Sequence, residues 1–453
     1  MQTIANAIQD YMGPVPTATN PAYKHREDGS TMRALAWFGN KDVRMVDAPI
    51  PDISEEKDVI IKVTGTTICG SDLHLYHSEM IGLQKGDILG HEFMGLIDRV
   101  GPGVTSLKPG DKVVVSFQTA CGTCRFCQKK LSSMCDRTNN SSLMASMYGQ
   151  RDAGFFGYAG GFPGGQSEYV RVPFGEVNCL KVPPGLSDEQ VLYLSDILPT
   201  SYHAMKDTRV DEGDVVGVWG LGPIGLCCVK WALLMGASKV YAIDGIPARL
   251  AMAKDSGAKV VTVDFKSEDV TKRILGEVPG GLDGEFAVAR SEFIMPSAVC
   301  IDATTFHEPK TILHKVEKAL MLETDVSETP NEMIFLAKKF GRVGLIGVYS
   351  GYTNHFNIGA LMEKGVRFIG NGQAPVHLYW HEILDEYILT GKLDLKEIVT
   401  HRVGIEDFPE LYRKFDERYA GVQKVFVETK ASERPGKGFP QISKVADWPE
   451  IVA

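Results

Sequence analysis

"DVVGVWGLGPIGLCCVKWALLMGA", residues 214–237, decides how the second half of this chain folds. A short run of β-branched residues stops at a glycine, and an apolar helical pattern begins just after it. Gly220, Gly222 and Gly225 stand between them in G-x-G-x-x-G register. In a chain with 47 glycines that register is weak alone. The strand before it and the helix after it make it specific. The first glycine permits the tight turn, the second lets backbone approach a pyrophosphate, and the third lets helix pack on strand. Pro223 and Ile224 complete the loop, and the helix start presents free N–H groups to phosphate. The next strand, "KVYAID", ends in Asp244, whose carboxylate would accept ribose hydroxyls and repel a 2′-phosphate. That favours NAD over NADP, although Arg249 nearby is of a type that accommodates a phosphate.

Working outward, the same grammar of strand then helix repeats. "KVVTVD", "SAVCIDA", "GRVGLIG" and "VRFIGNG" supply further short apolar strands. Six strands separated by helical segments predict an α/β unit with a doubly wound parallel sheet over residues 204–372. Upstream, residues 32–182 read differently. "DVIIKVTGTTIC", "FMGLIDRVG", "DKVVVSF" and "SEYVRVP" are strands broken by Gly and Pro, which predicts a β-rich domain. Residues 1–30 read as an irregular arm. From 430 to 453 a polar tail shows no periodicity.

Four of the nine cysteines fall within "CGTCRFCQKKLSSMC", residues 121–135. Cys121, Cys124, Cys127 and Cys135 have spacings that let one tetrahedral ion gather four sulfurs. Zinc is the default, and an iron–sulfur cluster would also accept four thiolates. Disulfides suit oxidising compartments. The opening "MQTIANAIQDYMGPVP" has no basic start followed by an apolar core, so a cytoplasmic protein is expected.

Composition removes other classes. Hydrophobic residues make up 44% and charged residues 23%, as in ordinary globular chains. A formal net charge of −9 with no basic block argues against a nucleic-acid surface. No apolar run reaches the length of a membrane span.

Further ligand-type residues are scattered through the β-rich part. "TTICGSDLHLYH" carries Cys69, Ser71 and His74, "GDILGHEFMG" carries His91 and Glu92, and "LYLSDILPTSYHA" carries Asp196 and His203. A nicotinamide site needs something to polarise an oxygen, and a zinc held by one thiolate, one imidazole and one carboxylate would do so.

With "CGSDLH", "GHEFMG", the glycine-rich stretch at 101–113, the cysteine lobe and "GLGPIG", the chain resembles the zinc-containing medium-chain alcohol dehydrogenases over about residues 32–429. "GGQSEYVRVP" and "LSDILPTSYHA" resemble the glutathione-independent formaldehyde dehydrogenase branch. The resemblance implies a GroES-like catalytic domain (31–203 with 373–429) beside a Rossmann NAD-binding domain. It implies two zincs per chain. Cys69, His91 and Asp196 would hold the catalytic one, and the four-cysteine lobe the structural one. It makes Glu92 the acidic neighbour of the metal, Ser71 the hydroxyl on the substrate oxygen, His74 the outer end of a proton relay, and Thr200 a cofactor contact.

The implied activity is hydride transfer between NAD and an alcohol or aldehyde, in a homodimer or homotetramer, with no nucleic-acid or membrane partner. Dismutation on retained NAD(H) and a non-catalytic NAD-binding role are the alternatives. Two insertions, near 145–165 and 281–297, and both terminal extensions exceed the usual core. Phe155, Phe156, Tyr158 and Phe162 in the first insertion read as an aromatic lid or as rings packed in their own domain.

Overall fold

The computed structural model describes residues 23–80, 82–139, 153–157, 162–278, 299–304, 311–320, 323–349, 351–417 and 421–449. Tyr158, the 281–297 insertion, and most of the first insertion and of the N-terminal arm lie outside them. The chain divides into two compact units. One comprises residues up to Pro199 together with those from Pro375, and the other is Thr200–Ala374. The sequence places this division at 203/204, and both positions fall within one continuous helix, Ile197–Asp207.

The first unit contributes strands β1 (Thr31–Gly39), β2 (Asp42–Pro49), β3 (Val59–Thr66), β4 (Phe93–Val100), β5 (Lys112–Val115), β6 (Gln118–Thr119), β7 (Gly154–Phe155), β8 (Tyr169–Val172) and β9 (Cys179–Lys181). The second unit contributes β10 (Val215–Trp219), β11 (Lys239–Asp244), β12 (Val260–Asp264), β13 (Val299–Asp302), β14 (Arg342–Leu345) and β15 (Arg367–Gly370). The chain then returns to the first unit with β16 (Val399–Gly404) and β17 (Lys424–Glu428).

The first unit is built on a sheet ordered β16-β17-β3-β4-β5-β9, with β8 also paired to β3. Its pairs are antiparallel except β16 with β17. Alternate residues of β3, Val59, Ile61 and Val63, meet Phe93 and Ile97 of β4 and Val113 and Val115 of β5 in one core. The period of two in the sequence becomes a buried face in this way. Phe156 belongs to that core, fully buried and edge-on to Phe93 at 5.0 Å. Of the two readings of this aromatic run, Phe156 takes the one in which the ring packs in its own domain. Phe155 behaves differently and stacks on Phe117, ring centres 5.4 Å apart.

The polar tail folds back on the same unit. Arg402 of β16 donates to the carbonyl of Glu433 at 2.6 Å, and its own carbonyl accepts from the amide of Ser443 at 2.9 Å.

The second unit holds a parallel sheet ordered β12-β11-β10-β13-β14-β15. The order reverses beside β10, which makes the ends of β10 and β13 the switch point where such sheets bind ligands. Every residue of β10 is buried. A central parallel strand covered on both faces needs a continuous apolar run rather than alternation. Among the described residues no helix is long and apolar enough to cross a membrane.

Candidate active site and metal centres

The turn after β10 is shaped by its glycines. Gly220 sits at φ +84°, a backbone region that side chains disfavour, and a Cβ on Gly225 would lie 1.8 Å from the Gly220 carbonyl oxygen. At Gly222 a Cβ would meet nothing within 4 Å beyond its own neighbours in the chain, so the space beside this turn is open. The helix Pro223–Leu234 starts there with proline in its first turn. Asp244 is buried at the end of β11, and its carboxylate accepts the amides of Leu221 (2.7 Å), Gly245 (2.7 Å) and Ile246 (2.9 Å). Arg249 Nη1 lies 3.8 Å from it. The carboxylate is thus fixed against the glycine turn, as a dinucleotide ribose would require. Thr200 is buried in the helix Ile197–Asp207 of the same unit.

The first unit gathers Cys69, His91, Glu92 and Asp196, and one ligand-type atom from each lies within 4.8 Å of all the others. Cys69 ends the segment after β3 and caps the helix Gly70–Tyr76. Its amide donates to Asp72 Oδ2 at 2.9 Å, while Asp72 Oδ1 lies 3.1 Å from His91 Nδ1. One carboxylate therefore starts the helix and turns the imidazole, so that His91 Nε2 faces the cluster, 3.3 Å from Asp196 Oδ2. Holding the second ring nitrogen of a histidine ligand is the usual way a metal site fixes its geometry. Gln166 extends the chain of support. Its Nε2 donates to the Thr67 carbonyl at 3.0 Å, and its Oε1 accepts from Tyr412 Oη at 2.8 Å.

Burial opposes a charged His91, yet Asp72, Asp196 and Cys69 together hold its pKa well above the ordinary imidazole value. Without a cation these anionic groups recruit a proton, so the donor set of thiolate, imidazole and carboxylate fits a borderline metal such as zinc.

Ser71 Oγ lies 3.6 Å from Cys69 Sγ. His74 is buried, and its Nδ1 lies 2.5 Å from Glu79 Oε2. The Glu79 side chain is 45% exposed, so Glu79, rather than His74, is the member of this pair that meets water. Phe117 sets its ring edge-on to His91 at 6.3 Å and carries Phe155 on its other side.

Lys424 of β17 was not singled out by any motif. It is 0% exposed, donates to Glu92 Oε1, and lies 3.4 Å from the Ile68 carbonyl. Burial raises the pKa of Glu92, and Lys424 opposes that rise. Burial would lower Lys424, but Cys69, Glu92 and Asp196 raise it instead. The signal that could have found it is a lysine leading directly into the apolar run Val425–Phe426–Val427 of a short strand, "QKVFVE". Lysine is almost never fully buried unless paired.

The four-cysteine lobe forms a second cluster. Its sulfurs lie 3.4 Å (Cys124–Cys127), 3.9 Å (Cys121–Cys127) and 4.0 Å (Cys124–Cys135) apart, and all four cysteines are free. Four sulfurs at zinc–thiolate distance around one tetrahedral ion stand about 3.8 Å apart. Burial disfavours every thiolate here. Even so, the Thr123 and Cys124 amides and the Thr123 hydroxyl hold Cys121 down to about 6. Cys124 is also lowered, whereas burial and neighbouring thiols raise Cys127 and Cys135. The lobe supports some thiolates unaided and needs a cation for the rest.

Comparison with known proteins agrees with this geometry. Residues 55–184 match the alcohol dehydrogenase GroES-like domain family, and residues 223–300 match the zinc-binding dehydrogenase family. A zinc-type alcohol dehydrogenase-like protein of Schizosaccharomyces pombe is 39% identical over 404 residues, covering 88% of this chain and 92% of that protein. A glutathione-independent formaldehyde dehydrogenase of Pseudomonas aeruginosa is 30% identical over 412 residues, covering 87% and 96%. Among solved structures, the alcohol dehydrogenase TADH from Thermus sp. ATN1 is 31% identical, with a TM-score of 0.71 over 88% of this chain and 100% of that one.

Proposed function

This chain belongs to the zinc-type alcohol-dehydrogenase-like family of medium-chain dehydrogenases, and from that premise we propose that it interconverts a small or medium primary alcohol and its aldehyde with NAD(H). The observation that carries the reading is the buried Cys69–His91–Asp196 cluster, with Glu92 locked beside it by Lys424. When bound, zinc would act as Lewis acid toward the alcohol or carbonyl oxygen, and nicotinamide would carry the hydride.

The chain's own residues divide the remaining work. Cys69, His91 and Asp196 hold the metal, and Asp72 keeps the proton of His91 on Nδ1 so that Nε2 is a lone-pair donor. Ser71 Oγ would accept a hydrogen bond from the substrate hydroxyl. His74 Nδ1, paired with the partly exposed Glu79, passes the proton toward solvent. Phe117 and Phe155 form an apolar wall beside His91, which excludes water and suits an unbranched substrate. The fixed carboxylate of Asp244 selects NAD by accepting ribose hydroxyls and repelling a 2′-phosphate.

A panel of primary, secondary and aromatic alcohols with their carbonyl partners, assayed with NAD and with NADP, tests this directly. Primary substrates should turn over best, and NAD should give the higher kcat/KM. Asp244→Ala should narrow the NAD–NADP gap by about 1–3 kcal/mol. Turnover confined to bulky secondary alcohols would sink the substrate assignment, and a preference for NADP would sink the cofactor assignment. The formaldehyde dehydrogenase relative supports a second reading, dismutation on retained NAD(H). Aldehyde converted to equal acid and alcohol without added cofactor would favour it.

A further inference from the structure

One helix of the second unit is inside out. In Ile312–Ala319 and the residue after it, Ile312 (80% exposed), Leu313 (53%), Val316 (50%) and Leu320 (62%) face solvent. Among its described side chains the inward ones are His314, which is buried, and Glu317, 17% exposed. Surface helices ordinarily bury their apolar stripe. Here burial of apolar area contributes little to holding the helix down, and a polar cluster takes its place.

That cluster draws on three separate stretches of chain. His314 Nδ1 lies 2.6 Å from Glu323 Oε1, and the Glu323 side chain is fully buried. The amide of Asn354 donates to Glu323 Oε2 at 3.2 Å, and its Nδ2 donates to Glu317 Oε2 at 3.3 Å. His355 Nε2 stands 3.0 Å from both oxygens of Glu317. One ligand-type atom each from His314, Glu317 and Glu323 lies within 4.8 Å of the other two.

From this we propose a third divalent-metal site, in which His314, Glu317 and Glu323 ligate zinc and fasten the inverted helix to the domain. Two carboxylates brought together beneath a helix repel, and a divalent cation between them would neutralise both at once, beyond the single imidazole that each already faces. One imidazole and two carboxylates suit zinc, with a water completing four positions. The i, i+3 spacing of His314 and Glu317 sets both on one helical face. Asn354 and His355 act as the outer partners that orient ligating carboxylates. Neither the glycine turn nor the two clusters of the first unit includes any of these residues.

The test is metal content. Full-length protein is equilibrated with zinc, freed of excess and analysed per chain beside Glu323→Gln and the more accessible Glu317→Gln. The parent should hold one more zinc than either variant, three against two if all three clusters fill. Zinc should slow hydrogen exchange across 311–320 in the parent alone, and His355→Ala should weaken the extra zinc by about 10–100-fold. Turnover should be the same in all. Equal zinc in parent and variants overturns the site, whether the count is two or, with an adventitious ion, three. Because the result is a difference, a loss at the Cys69 or Cys121 cluster lowers parent and variants alike and leaves it readable. If Glu323→Gln does not fold, Glu317→Gln decides.

Discussion

Lys424 and Glu92 form a buried ion pair against the Cys69 cluster, and each would be costly there without the other. Lys424→Met should lower stability by about 3–5 kcal/mol, because it leaves a carboxylate buried and unpaired. The same change should lower kcat by about 10–100-fold, as for other residues that act through a metal ligand's surroundings. Denaturant unfolding and steady-state kinetics on one preparation read both effects, and unchanged kcat in a folded variant would remove Lys424 from the site. This scale was half legible in the sequence. Cysteine and histidine ligands announce themselves because they are scarce and sit in short motifs. Lys424 acts on Glu92 and Ile68, partners more than three hundred residues away that folding alone brings near, so no local spacing marks it. Phe156 was left between two readings for a related reason, since a run of aromatics among glycines does not say which ring turns inward.

Among elements, the glycine turn and the parallel strands were readable because periodicity and turn chemistry are local. The tail was not, because it docks through isolated residues, the buried Phe439, Val445 and Trp448 among scattered polar contacts, without a repeating pattern. Arg402 anchors it, fully desolvated between Glu189 and Glu428, with its guanidinium 4.6 Å over the Phe426 ring. Arg402→Met should release residues beyond 430 to proteolysis and cost about 3–5 kcal/mol, since two carboxylates lose their partner. A tail as resistant as the parent's would contradict this. A second element-scale prediction concerns acid. Glu176 Oε1 accepts from the amides and hydroxyls of Thr105 and Ser106, which hold its pKa at about 2 against an ordinary 4.5. A depressed carboxylate stabilises the fold above pH 4.5, and that increment disappears as pH falls toward 2. Glu176→Gln should therefore be less stable at neutral pH, by about 1 kcal/mol after allowing for solvent screening, and should match the parent near pH 2. A gap independent of pH would show that the hydrogen bonds, not the charge, matter.

For the whole molecule, the two metal clusters carry different expectations. Chelation should unfold the four-cysteine lobe, which has few apolar residues of its own, whereas loss of metal at Cys69 should silence turnover with the fold intact. Circular dichroism and activity followed during chelation should separate the two. We also expect a homo-oligomer, because among the described residues β15 ends the parallel sheet as an unpaired edge. A monomeric mass by light scattering would refute it.

The first unit is interrupted in sequence by the second, and this sets an order of events at the ribosome. Residues 200–374 emerge together and can close their sheet as soon as they clear the exit tunnel. The metal pocket must wait. Its floor is completed by Lys424, and β17 pairs with β3 across an interval of more than three hundred residues, Val427 opposite Thr66. Until then β3 lacks its β17 partner on one flank, beside Cys69 and the four-cysteine lobe already made. A stop codon a few dozen residues early would leave the parallel sheet and its glycine turn intact and the Cys69 cluster without Lys424 beside it.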